Sequence, residues 1–183
     1  MRKRRILCIT LERKVKMFCI GEYAVYGSGE ICLIAEKTER SFDGIGKNEY
    51  YKLVPINTAN SAYYVPVNGI ESKIRRLLTK SEIYEIIDSI PQTEGVWYGN
   101  QKERKSYFEA VLKSDDLIKI IGMIKAIYHE REKRSADGKK TASSDEKAFL
   151  EAKRMLHNEF AFVLGINTNE VEDFIQKRIN SME

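Results

Sequence analysis

The sequence predicts an α+β protein in two parts, a small antiparallel β-barrel followed by an all-α helical domain. Two observations carry this. From Phe18 to about Val67, short runs rich in Tyr, Val and Ile alternate with Gly- and Asn-containing turns, and no helix-period pattern interrupts them. From Thr79 onward, apolar residues return every three or four positions, each series opening behind Ser, Thr or Asn. The expected division is a basic extension over residues 1–16, the barrel over 17–72 and the helical domain over 73–183.

Residues 1–16 join a basic start to a short apolar run, Ile6 to Leu11, too short for a signal peptide and without a small-residue cleavage site. Met17 opens a fresh pattern with Phe18-Cys19-Ile20-Gly21-Glu22-Tyr23, so the extension is expected to be disordered or to precede a natural start at Met17. Tyr23–Tyr26 and Ile31–Ile34 read as strands joined by Gly27-Ser28-Gly29, which permits positive φ. Asp43-Gly44-Ile45-Gly46 predicts a second turn, after which Asn48–Val54 pairs with the strand before it. Asn57-Thr58-Ala59-Asn60 turns into Ser61–Val65, and Pro66 is tolerable at a strand end. Strands this short with no helix between them indicate a small barrel, and about fifty residues give it only a marginal core.

The helices are announced by their caps. Thr79 with Glu82 forms a capping box ahead of Ile83, Ile86, Ile87 and Ile90, and Pro91 prevents continuation. Asn100, with Glu103 three residues on, starts a basic helix that ends near Lys113. Tyr107, Phe108, Val111 and Leu112 share one of its faces, with Lys102, Ser106 and Lys113 opposite and Lys105 at the edge. Ser114 is expected to cap a long helix striped by Leu117, Ile120, Ile121, Ile124, Ile127 and Tyr128. Residues 129–140 are charged and close at Gly138 as a helix end and exposed loop. Ser143 with Glu146 opens the next helix, striped by Phe149, Ala152, Leu156, Phe160 and Val163 and stopped by Gly165. Asn167 or Thr168 begins the last one, containing Val171, Phe174, Ile175 and Ile179.

Composition excludes several classes. No apolar run approaches a membrane span. The three cysteines have no CxxC spacing and no nearby histidine, which argues against a zinc site or a disulfide framework and fits a reducing cytoplasm. Two histidines, both in helical stretches, leave little for histidine-based catalysis, and no phosphate loop, GxGxxG, HExxH or GxSxG pattern occurs. No enzyme activity, metal or cofactor is expected. The net charge of +4 is uneven: residues 1–16 carry +6, 17–70 carry −2, 71–140 carry +3 and 141–183 carry −3. A polyanion must then be met locally, and the middle segment is the candidate.

That segment holds the only tryptophan, Trp97, between Gly95 and Gly99 and just ahead of the basic helix. Free amides at a helix start, Lys/Arg and a flat apolar ring together suit a nucleic-acid backbone and a base step. A lone Trp is more often a partly buried core residue, and from this segment alone that is the favoured reading. Asp115-Asp116 fits a helix first turn better than a metal site. Arg75-Arg76, beside Lys73, either line a phosphate path or solvate a linker.

Several further stretches extend over most of residues 17–180: Phe18-x-Ile20-Gly21-Glu22-Tyr23-x-Val25-Tyr26, Lys47-x-Glu49-Tyr50-Tyr51-x-Leu53, Tyr64-Val65-Pro66-Val67, Trp97 before a basic helix, Lys113-Ser114-Asp115-Asp116-Leu117-Ile118 and Glu159-Phe160-Ala161. In order and spacing they resemble the CarD (CdnL-like) family of bacterial transcription regulators. The resemblance implies a Tudor-like N-terminal barrel that docks on the RNA polymerase β subunit. It also implies a helical domain that meets promoter DNA at the upstream edge of the transcription bubble, where a Trp wedges into the minor groove. Carried onto this chain, Trp97 is the wedge, Lys102, Arg104, Lys105 and Ser106 hold the backbone, and Arg40 and Tyr64 contact the partner. The chain departs from the family in the one-residue-shorter turn Tyr26-Gly27-Ser28-Gly29. It departs again at Tyr64, where relatives often carry a basic residue, and in the placing of Trp97, about one helical turn further upstream of Ser114 than in some members. No membrane or small-molecule substrate is implied. The competing reading is a protein-interaction adaptor with a peptide-binding barrel and no DNA role; a nucleotide-handling enzyme would need the missing phosphate loop.

Overall fold

The computed structural model describes residues 18–42, 46–58 and 60–182. The expected N-terminal extension and its Met17 start lie outside them, as do residues 43–45 of the second turn and Ala59 of the third. The chain divides into two compact units, one ending at Leu78 and one spanning Thr79–Glu183.

The first unit is an antiparallel sheet of β1 (Tyr23–Tyr26), β2 (Glu30–Arg40), β3 (Asn48–Pro55), β4 (Tyr63–Pro66) and β5 (Ile74–Arg76), in the order β4-β3-β2-β1-β5. Gly27 and Gly29, both at positive φ, close the β1–β2 hairpin as the sequence requires. One face buries Ala24, Cys32, Ile34, Leu53, Val65 and Ile74, joined by Phe18 and Ile70. Among the described residues no ladder joins β4 to β5, so the sheet is open. The expected boundary at 72 shifts to Leu78, because Ile74–Arg76 pair with Tyr26–Ala24 of β1 and Ile74 enters the core. Arg75 and Arg76 therefore sit on a strand and not on a linker.

β2 is longer than its apolar run predicts, and a bulge explains how. Ile34 faces Leu53 across the ladder while Glu36 faces Lys52, leaving Ala35 as the extra residue. Paired residues share a face, so the bulge sends even-numbered positions of β2 from the core side to the outer side. Glu36, Thr38 and Arg40 are thereby carried away from the core that Cys32 and Ile34 occupy.

The second unit is all helix: α1 (Lys80–Ser89), α2 (Gln101–Ser114), α3 (Leu117–Ala136), α4 (Ser143–Leu164) and α5 (Val171–Asn180). The long α4 packs against the other four. Thr79 and Glu82 form the capping box of α1, with the Glu82 backbone N–H donating to Thr79 Oγ1 at 3.2 Å and the Thr79 N–H to Glu82 Oε2 at 2.7 Å. Gly165, at φ 74°, ends α4. Asn167 caps a short 3₁₀ turn, Thr168–Glu170, that leads into α5. Two predicted caps are displaced. α3 is capped by Asp116, which accepts from the N–H groups of Ile118 and Lys119, while Ser114 closes α2 by donating to Val111 O. α4 opens behind Ala142 with no side-chain cap, and Ser143 is already helical. Tyr128, expected in the α3 stripe, is half exposed. No helix among the described residues is long and apolar enough to cross a membrane.

Candidate nucleic-acid interface

Residues 93–100, between α1 and α2, run without regular structure and form a strap that is tied down on both sides. At its start the strap meets α3 backbone to backbone. A Cβ on Gly95 would lie 2.2 Å from Gly122 O and 2.7 Å from the Ala126 Cβ, and one on Gly122 would lie 2.7 Å from Glu94 O. Only paired glycines allow that approach. Lys125 of α3 reinforces it by donating from Nζ to Ile90 O at 2.8 Å, at the end of α1.

The other end is held by Arg104 of α2, which is 3% exposed. Its Nε and Nη2 donate to Asp145 Oδ2 at 3.2 and 2.9 Å, across to the first turn of α4. Its Nη1 donates to Tyr98 O at 2.7 Å and Gly99 O at 3.2 Å, and the guanidinium lies 4.3 Å from the centre of the Trp97 ring. The indole, half-buried, also stands 6.1 Å from the Phe108 ring. Trp97 thus lies on α2, while its neighbours Val96 and Tyr98 are exposed, at 47% and 39%. The Tyr98 ring is 5.2 Å from that of Tyr107.

These contacts correct one expected assignment. Arg104 is not a surface cation for phosphate: it is buried, paired with Asp145 and committed to the strap's carbonyls. Its position foretold this, since Arg104 stands four residues before Phe108 and seven before Val111, and all three are buried on one stripe. The amides of Lys102 and Glu103 are likewise engaged, donating to Asn100 Oδ1 at 2.9 and 3.3 Å. Lys102, Lys105 and Ser106 remain on the exposed side of α2, with Lys105 only loosely paired to Glu109 at 3.9 Å. Val96 and Tyr98 are absent from the expected site, because their exposure follows from the way Trp97 turns toward Arg104, which no local sequence pattern gives.

The sheet unit carries a second cluster. The bulge puts Arg40 on the outer face, where its guanidinium sits 4.9 Å from the Tyr64 ring centre and Nη2 donates to the Tyr64 hydroxyl at 3.3 Å. Phe42, 43% exposed, meets Tyr50 edge-on at 5.0 Å and Tyr64 at 5.6 Å. Arg40 and Tyr64, expected together at the partner contact, do stand against each other, and Phe42 and Tyr50 join them. No family model matches this chain, and no curated protein matches it.

Proposed function

We propose that the protein is a non-enzymatic transcription regulator that binds RNA polymerase through its sheet unit and stabilises the melted promoter through its helical unit. In this reading the open five-stranded sheet takes the place that the Tudor-like barrel has in the resemblance. Its Arg40–Phe42–Tyr50–Tyr64 cluster, beside the terminal strand β4, meets the β subunit by adding a strand to that edge. The strap of the helical unit lies at the upstream edge of the bubble. There Trp97 and its flanking side chains cover an unstacked base step, and Lys102, Lys105 and Ser106 meet phosphates.

The observation that carries the reading is the strap itself: an aromatic segment fixed at both ends, with apolar side chains left outside and lysines on the adjoining helix. A net charge of −2 over residues 17–183 makes direct duplex binding weak. Polymerase compensates by holding the protein in place, so that few phosphate contacts suffice. Trp97→Ala is expected to shorten the lifetime of open promoter complexes while leaving capture of polymerase unchanged. Equal losses in both assays would make Trp97 a packing residue only.

One observation favours a second reading, a protein-interaction adaptor: one face of the indole is already covered by Arg104. Under that reading the exposed Val96 and Tyr98 contact protein, and promoter DNA does not alter their environment.

A further inference from the structure

The same contacts give Arg104 a role that a helix-surface cation could not have. We infer that Arg104, braced by Asp145, is a positioning residue that sets the aim of the Val96-Trp97-Tyr98 strap toward DNA. The inference rests on the transcription-regulator reading and names the part that orients its site.

The donor set of the guanidinium is divided in a way that fits this role. Nε and Nη2 face a carboxylate on α4, Nη1 faces two successive strap carbonyls, and the flat face carries the indole. A planar fork can hold such directions together, whereas a lysine offers one ammonium on a flexible stem. Asp145, at 1% exposure, takes both remaining bonds and fixes the fork's rotation. The strap start is fixed independently on α3 by Gly95 and Gly122. Arg104 therefore controls the C-terminal half of the strap, the half that bears the indole and Tyr98. Its charge is spent inside the protein, so its effect on DNA passes through Trp97 and Tyr98.

The test uses the full-length double variant Arg104→Met/Asp145→Leu. Replacing both partners of a buried pair by apolar residues of similar volume tends to preserve stability. It nonetheless removes the carbonyl bonds and the cation beneath the ring. Trp97 is the only tryptophan, so its emission reads the strap without any DNA. The double variant should show red-shifted emission and easier quenching by acrylamide. With bacterial RNA polymerase, its open promoter complexes should decay about tenfold faster, the worth of one hydrogen bond to a charged group. Arg104→Lys, which keeps the charge, should fail to restore either signal. Unchanged emission and quenching would overturn the clamp. A freed indole with an unchanged lifetime would overturn the positioning role if Trp97→Ala still shortens that lifetime. If Trp97→Ala also leaves it unchanged, the reading of the strap as a DNA contact fails instead.

Discussion

Stripping the carboxylate from Asp145 would leave Arg104 buried with no counter-charge, and a buried charge without a partner is one of the costlier defects a fold can carry. Asp145→Ala alone is therefore expected to destabilise the protein by about 3–5 kcal/mol in urea unfolding, far more than the paired replacement by Met and Leu. A loss under about 1 kcal/mol would mean that the pair is solvated and does not brace the strap. Arg104 also shows what single residues conceal in a sequence. Within Gln101-Lys102-Glu103-Arg104-Lys105 it reads as one charge among several, and its helical phase alone marks it as inward. The partner lies forty-one residues away, on another helix, where no local pattern points. Trp97 was legible as a residue of interest, but its orientation was not, because that depends on the guanidinium underneath it.

At the scale of elements, the helices follow their caps and periods closely. The α1 box tests how far a local signal contributes: Thr79→Ala removes the hydroxyl that accepts the Glu82 N–H and should cost about 1 kcal/mol of stability, visible in denaturant melts. A neutral outcome would mean that packing alone holds the first turn of α1. Where caps were misplaced the competition is local. Ser114 and Asp116 both suit a cap, and α2 ends with Asp115 at φ 53°, which leaves Asp116 to start α3. Ser143 precedes an Asp145 whose side chain is drawn inward to Arg104 and not back to the helix start. The sheet was less legible. β5 is three residues with two arginines, too short and too charged for a strand pattern, and it forms because β1 offers an edge. The bulge at Ala35 leaves no compositional trace, yet it decides that Arg40 stands beside Tyr64 on the outer face.

For the molecule as a whole, charge and proton linkage set the conditions under which the fold holds. Burial, with nearby Lys153 adding to it, holds the His157 imidazole below its ordinary value of 6.5, so the folded state binds this proton less readily than the unfolded chain. Stability should therefore fall as pH drops from neutrality through 6.5 and continue to fall until the folded-state value is passed. Further down, Glu172, held below the usual carboxylate range by its bond from Lys153, withdraws its contribution as it protonates. Urea midpoints measured across this range should show His157→Gln with a flatter slope between neutrality and the carboxylate region. Equal slopes for the two proteins would remove His157 from the account. The two-part α+β plan was fully legible, since strand and helix periods separate cleanly along the chain. Openness of the sheet was not, because it depends on which strand ends meet, and the same holds for the boundary at Leu78.

The central claim is that the strap of the helical unit lies against melting promoter DNA when polymerase is bound, and a site-specific cross-link tests it most directly. With Tyr98 replaced by photoreactive p-benzoylphenylalanine, illumination of the polymerase–promoter complex should attach the protein to DNA at the upstream edge of the bubble. Cross-links confined to protein, with promoter DNA left unmarked, would contradict the claim and leave the adaptor reading in its place.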